Sequence, residues 1–172
     1  MSRHTISVLV ENKPGVLARI SGMFSRRGFN IDSLAVGPTD DEAVSRMTIV
    51  VERAESPEQV VKQLNKLVHV LKIVEHEPGG AVERELLLVK VKAEPSTRFQ
   101  IIELAEVFQA KIVDVAPEAL TVEATGSPDK IANILQMLEP YGIKELARTG
   151  CIALARGGRG IADRPVRSVR TA

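Results

Sequence analysis

The chain has 172 residues, of which 44% are hydrophobic and 26% charged, and its formal net charge is +1. This composition is typical of a globular protein, and the balanced charge excludes a general electrostatic attraction to nucleic acids or membranes. A single cysteine, Cys151, excludes an intramolecular disulfide, and no apolar run approaches the roughly 20 residues of a membrane helix. We therefore expect a cytoplasmic protein with neither nucleic acid nor membrane as a partner.

The first 77 residues alternate between strand-like and helix-like patterns. The predicted elements are a strand at 4–10, a helix from Val16 to a stop signal at Arg26-Arg27-Gly28, strands at 29–36 and 44–51, a helix capped by Ser56 with Val60, Val61, Leu64, Leu67 and Val68 on its apolar face, and a strand at 70–74. This order, βαββαβ, is that of a ferredoxin-like unit.

The same order restarts after the turn at Glu77-Pro78-Gly79-Gly80. The predicted elements are a strand at 84–91, a helix at 96–108, a hairpin of strands at 111–115 and 120–124, a helix opened by Ser127-Pro128, a strand beginning at 141 and a sheet extension at 150–154. We therefore predict an α+β protein made of two tandem ferredoxin-like βαββαβ units. The predicted domains are residues 4–78 and 82–158, followed by a basic flexible tail at 159–172.

A sheet with helices on one side leaves its other face bare. We expect a second copy of the chain to cover that face in the first unit, because an exposed apolar sheet face is a common interaction surface.

The sequence contains no recognisable catalytic constellation. His4, His69 and His76 share no metal-ligand spacing, so we predict no metal site and expect the last two to have structural roles at element ends. Cys151 has no basic neighbour that would activate it and is expected to be a buried, inert thiol. We predict no catalytic residues, and therefore a protein that is not itself an enzyme.

Two other functions of ferredoxin-like domains do not fit this sequence. RNA readers need stacking aromatic residues on the central strands, where this chain has Met47, Ile49 and Val51. Copper carriers need two cysteines at a Cys-x-x-Cys spacing, and the chain has only one. A binding module remains.

The turn between the first strand and the first helix, residues 11–17, has features of an anion site. We expect Asn12 to cap the helix, Pro14 to occupy its first turn, and Gly15 to allow a ligand close to the backbone. The first N–H groups and the positive end of the helix dipole would then face a carboxylate or a phosphate. The residues alone also fit an ordinary capped βα turn.

This turn, Asn12-Lys13-Pro14-Gly15-Val16-Leu17, resembles that of ACT domains, which are small amino-acid-sensing modules. A longer series of segments is similar to the regulatory (small) subunit family of acetolactate synthase, also called acetohydroxyacid synthase. These segments are residues 9–12, 24–34, 45–49, 63–67, 84–86, 112–115 and 154–157. The resemblance covers residues 4 to 158 and makes the first unit an ACT domain.

The resemblance implies a noncatalytic subunit that activates the large catalytic subunit and confers feedback inhibition by a branched-chain amino acid, valine first. Thiamine diphosphate, Mg²⁺ and FAD are expected in the catalytic partner, and no cofactor in this chain. The alternative is a free-standing ACT-type sensor that regulates transcription or another enzyme. The lack of a helix-turn-helix pattern and the near-zero net charge argue against direct DNA binding.

The resemblance also implies where the effector binds. In this family it lies between the ACT domains of a homodimer, and the matching positions are Asn12, Lys13, Pro14, Gly15, Val16 and Leu17 of one chain with Asn30 and Ile31 of the other. The second half of the chain, about residues 82 to 158, is expected to hold and activate the catalytic partner.

Overall fold

The computed structural model describes residues 3–52, 57–158 and 160–163. The chain forms two compact units, one containing residues up to Val82 together with those from Cys151 onward, and the other containing Glu83–Gly150. Residues 151–158, which the predicted boundaries place in the second domain, thus belong to the first unit. Most of the predicted tail lies outside the described residues.

The first unit has the predicted βαββαβ order. Its elements are β1 (Arg3–Glu11), α1 (Val16–Arg26), β2 (Ser33–Pro38), β3 (Val44–Glu52), α2 (Pro57–Leu64) and β4 (Val70–His76). The strands form an antiparallel sheet in the order β2-β3-β1-β4.

Strand alternation directs one side of this sheet toward the helices. Ile6, Val8 and Val10 of β1 are almost fully buried and pack in one cluster with Ile20 and Phe24 of α1. Each buried side chain of this size contributes about 1.5–3 kcal/mol to folding, so this cluster holds the helices on the sheet.

The start of the second strand and the end of the second helix differ from the prediction. β2 begins at Ser33 rather than at 29, because the chain leaves α1 through Gly28 (φ 70°) and Phe29 folds back. The Phe29 N–H donates to the Phe24 carbonyl, and the two rings meet edge to face at 6.3 Å. Val68 is not on the apolar face of α2: it follows the helix and is 86% exposed.

The predicted cap of the second helix, Ser56, lies outside the described residues. The corresponding cap in the second unit is confirmed, since the Lys130 N–H donates to Ser127 Oγ at 3.3 Å.

The second unit repeats the order. Its elements are β5 (Ala81–Lys92, whose first two residues belong to the first unit), α3 (Arg98–Val107), β6 (Lys111–Ala116), β7 (Ala119–Gly126), α4 (Pro128–Leu138), a 3₁₀ turn (Glu139–Tyr141) and β8 (Ile143–Arg148). The strand order is β6-β7-β5-β8, equivalent to that of the first sheet. Leu87 and Val89 pack with Ile101 and Ile131 in a separate core. Two tandem ferredoxin-like units of the α+β class are therefore confirmed.

The last strand, β9 (Ile152–Ala155), lies in the chain segment that returns to the first unit. The backbone N–H of Cys151, which is buried as predicted, donates to Ser33 Oγ at 2.7 Å. Arg46 Nη2 donates to the Ala153 carbonyl at 2.7 Å. These partners lie on the sheet face opposite the helices, because they alternate with core-facing residues such as Met47.

Residues 151–155 thus occupy part of the face for which the sequence predicted a second copy as cover. The expectation is corrected for that part: the chain covers it with its own residues. The sequence of β9 has no clear helical or amphipathic periodicity. Nothing in it indicates which sheet face the strand covers.

Candidate functional site

The turn at residues 12–17 is built differently from the predicted cap. α1 begins at Val16, and its N-cap is Gly15, in the left-handed conformation (φ 83°, ψ −8°), without a side-chain cap. Asn12 is therefore not the cap, and Pro14 precedes the helix. Asn12 Nδ2 donates instead to the Glu42 carbonyl at 2.9 Å.

The backbone of Asn12 is held by the same loop as its side chain. The Asn12 N–H donates to the Ala43 carbonyl at 2.7 Å, so the turn is fastened to the loop between β2 and β3. The Arg19 N–H is bonded to the Gly15 carbonyl at 3.0 Å, and it marks the end of the first helical turn. The preceding N–H groups lie at the positive end of the helix dipole, where an anion is stabilised.

A cluster of charged side chains adjoins the turn. Glu11 Oε2 lies 2.9 Å from Lys13 Nζ and 2.8 Å from His69 Nδ1. Arg19 Nη1 lies 2.9 Å from His69 Nε2. Because a guanidinium only donates, Nε2 accepts from Arg19 and Nδ1–H donates to Glu11, which fixes the neutral tautomer of the imidazole.

The hydrogen bonds to Lys13 and then to His69 lower the pKa of Glu11. His69 thereby joins two charged residues that lie 8 positions apart in sequence. Sequence reasoning gave His69 only a structural place at an element end and missed this link, because its partner Glu11 is 58 residues away.

Val16 and Leu17 have different surroundings. Val16 is 4% exposed and lines a small cavity of about 150 Å³ between α1 and residues 66–70, to which Arg19 and His69 add polar groups. Leu17 is 43% exposed and is available to a ligand or a second chain. Of these two residues, only Leu17 presents a large exposed surface.

Asn30 and Ile31 lie in the connection between α1 and β2. Asn30 is exposed and donates from Nδ2 to Asp32 Oδ1 at 2.7 Å, while Ile31 packs against the first core. The Asp32 N–H donates to the Val50 carbonyl, which places this connection at the far end of β3.

The turn at 12–17 lies at the opposite end of the same strand, because Glu11 pairs with Val44. From Val44 to Val50 a strand extends about 20 Å at roughly 3.3 Å per residue. One chain therefore does not bring Asn30 and Ile31 to the turn.

Groups of three or more His, Cys, Asp or Glu residues suited to a metal ion are absent from the described residues. Within the same part of the chain, none of the helices has the length and apolarity needed to cross a membrane.

Residues 6–72 match the family model described as an AHAS small subunit-like ACT domain, and residues 84–157 match the model for the small subunit of acetolactate synthase. The acetolactate synthase small subunit of Mycolicibacterium smegmatis is 60% identical over 92% of this chain and 94% of its own length. The chain belongs to the acetolactate synthase small subunits. A probable small subunit from Archaeoglobus fulgidus is 53% identical over 91% of this chain and 99% of its own length.

A solved structure agrees with this family membership. The crystal structure of the acetolactate synthase small subunit from Thermotoga maritima has a TM-score of 0.84 and 38% identity, and the match covers 92% of this chain and all of that one. The resemblance to the regulatory subunit family is therefore confirmed, as is the ACT type of the first unit. The family's second model runs to residue 157, although residues 151–157 pack with the first unit.

Proposed function

We propose that this small subunit activates the catalytic subunit of acetolactate synthase and makes it sensitive to feedback inhibition by a branched-chain amino acid, with valine as the first candidate. The observation that supports this most directly is the family match over both units, which includes the ACT-type turn. In this proposal the catalytic subunit carries thiamine diphosphate, Mg²⁺ and FAD, this chain carries no cofactor, and the complex acts in the cytoplasm.

The proposed effector site is shared between two copies of the chain. β2 is an edge strand, so its outer side can pair with the β2 of a second copy. In an antiparallel pair related by a two-fold axis, the Pro38 end of one β2 lies beside the Ser33 end of the other. The turn containing Asn12 is fastened to the loop that follows Pro38, and Asn30 and Ile31 lie three and two residues before Ser33.

This pairing would bring the two halves of the predicted site together at both ends of the shared edge. It supports the assignment of Asn12, Lys13, Pro14, Gly15, Val16 and Leu17 to one wall and of Asn30 and Ile31 to the other. A homodimer would unite residues that one chain keeps about 20 Å apart, which supports this part of the proposal.

The polar groups are suited to an amino acid. The N–H groups at the start of α1 would receive its carboxylate. The side-chain N–H groups of Asn12 and Asn30 already donate to Glu42 and Asp32, which leaves both amide oxygens to accept from the ammonium group. Asp32 adds a negative charge that the sequence interpretation did not include.

Neither wall of the proposed effector site supplies enough binding free energy alone. A carboxylate at a helix start contributes about 0.3–1 kcal/mol when exposed and up to about 2 kcal/mol when partly buried. Burial of a valine-sized side chain, here against Leu17 and Ile31, adds about 1.5–3 kcal/mol. A dissociation constant near 100 μM needs about 5.5 kcal/mol, so effector binding and dimerisation should be coupled.

The second unit is proposed to contact the catalytic subunit. It exposes large apolar side chains, including Phe99 (80%), Val107 (72%) and Val115 (64%). Exposed side chains of this kind, when clustered, are typical of protein-binding surfaces.

Co-expression with the catalytic subunit tests the proposal. We expect the two chains to co-purify, the activity of the catalytic subunit to rise, and valine to lower it by a factor within the usual allosteric range of about 5 to 150. Sedimentation of the isolated small subunit with and without valine tests the shared site, since valine should strengthen the dimer. Failure to co-purify would contradict the proposal, and valine binding without that association would favour the free-standing sensor.

A further inference from the structure

A second cavity lies in the first unit, on the sheet face opposite the helices. Its volume is about 210 Å³. The floor is formed by Arg46, Val74 and His76 of the sheet, and the rim by the returning C-terminal segment, including Leu154 and Ile161. The effector turn lies at the start of α1, so this cavity is a separate site and its interpretation does not rest on the proposed function.

Arg46 is half-buried at the floor of this cavity. Its Nη2 donates to Ser7 Oγ at 3.0 Å and to the Ala153 carbonyl at 2.7 Å. Both hydrogen bonds use the same nitrogen, and no carboxylate in the described residues forms an ion pair with this guanidinium. Burial alone lowers the pKa of Arg46, so the positive charge is held there at a cost that no neighbouring negative charge offsets.

The surroundings of Arg46 contain further donors. Ser7 Oγ is also 2.8 Å from His76 Nε2, so guanidinium, hydroxyl and imidazole are linked along the floor. Lys72 Nζ donates to the Ala162 carbonyl nearby. Asp163, which follows the rim residues in the chain, has an Oδ2 that already accepts from the Gly160 N–H at 3.0 Å.

The rest of the lining is small and apolar. Three glycines, at 157, 158 and 160, allow the backbone to approach a ligand closely. Val74, Leu154 and Ile161 supply apolar contacts. A guanidinium donates charge-assisted hydrogen bonds to a carboxylate, and Nη1 and Nε of Arg46 remain as donors for such a bond.

We propose that this cavity binds a small organic carboxylate with a short branched apolar chain, whose carboxylate pairs with Arg46 and whose apolar part contacts Val74, Leu154 and Ile161. Such a ligand would supply the missing negative charge. The ligand would also link the sheet to the returning segment, because its carboxylate pairs with Arg46 and its apolar part contacts Leu154 and Ile161.

Isobutyrate is a suitable probe for an NMR titration of the full-length chain. We expect saturable shifts of the Arg46 Nε–H signal. Arg46→Gln should weaken binding about tenfold or more, and Arg46→Lys should fall between Gln and the unchanged chain. Arg84→Gln, which changes an exposed arginine, is the matched control and should bind as the unchanged chain does.

One further ligand tests whether the charge is needed, and one further variant tests whether the free volume of the cavity is needed. Isobutyramide, which lacks the charge, should not bind. Because Arg46→Gln also removes the bond to Ala153, a second variant, Ala155→Phe, fills the cavity from the rim while Arg46 is kept, and it too should abolish binding.

Two results would overturn the proposal. They are the absence of isobutyrate binding and equal binding by the Arg46→Gln variant. If isobutyrate does not bind but inorganic sulfate does, the apolar lining has no part in recognition.

Discussion

The side chain of Asn12 and the main chain of Glu42 are joined by a hydrogen bond of 2.9 Å across 30 residues. This bond fastens the first βα turn to the loop between β2 and β3, beside the edge of the sheet. Asn12 was predicted to cap α1. It instead holds the turn close to the β2 edge of the sheet.

Replacement of Asn12 by alanine should affect both stability and effector binding. The lost hydrogen bond should reduce the free energy of unfolding by about 0.5–1.5 kcal/mol, as measured by urea denaturation. Valine binding should weaken as the turn loosens. Asn65→Ala, an exposed asparagine after α2, is the control and should change stability by less than about 0.5 kcal/mol. Equal effects of the two changes would contradict the role of Asn12.

Gly15→Asp should yield a small subunit that still activates the catalytic subunit but no longer responds to valine. The new carboxylate would compete for the N–H groups at the start of α1. Gly15 has a φ of 83° and open space around its Cβ position, so any side chain is strained there although its Cβ does not clash.

Gly15→Asn is the matched control for that change, because asparagine has the same shape and tolerates the left-handed conformation without adding charge. Isothermal titration with valine should show a loss of about tenfold or more for the aspartate variant and a much smaller loss for the asparagine variant. Unchanged valine affinity in Gly15→Asp would rule out this turn as the carboxylate site.

Phe99→Ser should weaken association with the catalytic subunit. Phe99 is 80% exposed on α3, so its replacement should leave the thermal midpoint of unfolding nearly unchanged. Titration of the catalytic subunit with the small subunit, followed by activity, should require more of the variant for half-maximal activation. Val68→Ser is the control, since Val68 is similarly exposed, at 86%, but lies in the first unit. If both variants activate equally well, Phe99 does not belong to the contact surface.

The cluster around Glu11 should make stability depend on pH. Lys13 and then His69 lower the pKa of Glu11 below its ordinary value of 4.5, so the ionised form is favoured in the folded state. Its contribution is fully present above that ordinary value and is lost as the pH falls through the lower, folded-state pKa.

Glu11→Gln removes that contribution. The difference in unfolding free energy between the unchanged chain and this variant should therefore shrink as the pH is lowered below 4.5, and it should shrink with added salt as well, because the cluster is exposed. Glu103→Gln, an exposed position on α3, is the control. A difference that grows at low pH would reverse the expected sign.

In the second unit, Arg148 donates from Nη2 to Oε2 of Glu85, whose side chain is only 4% exposed. Arg148→Met should lower the free energy of unfolding by about 1–3 kcal/mol, because it removes a charged partner from a buried carboxylate. The double variant with Glu85→Leu should recover part of this loss. Urea denaturation of both single variants and the double variant tests the pair. If the losses of unfolding free energy in the two single variants add up to the loss in the double variant, the two residues do not interact.

Local signals predicted most of the fold. The start of α4 at Ser127-Pro128 was predicted correctly because its cap depends on residues only three positions apart. The strand alternation of Ile6, Val8 and Val10 likewise identified the core side of the sheet. Such features are fixed by neighbouring residues, and a single sequence contains them.

The failures arise where distant parts of the chain decide the structure. Asn12 bonds to Glu42 rather than to its own helix, and His69 pairs with Glu11. The candidate site was predicted through family resemblance to the turn at 12–17, whereas the position of His69 beside that turn depends on tertiary contacts that no local pattern encodes.

The return of residues 151–155 to the first sheet has a consequence for the biosynthesis of the chain. The ribosome completes β1 to β4 well before it reaches Cys151, and all of Glu83–Gly150 is made in between. At about 5–20 residues per second, that face of the first sheet waits on the order of 3–14 s for residues 151–155. During that interval Ser33 and Arg46 lack the partners that they have in the finished protein, so the newly made first unit is open to chaperones on that face.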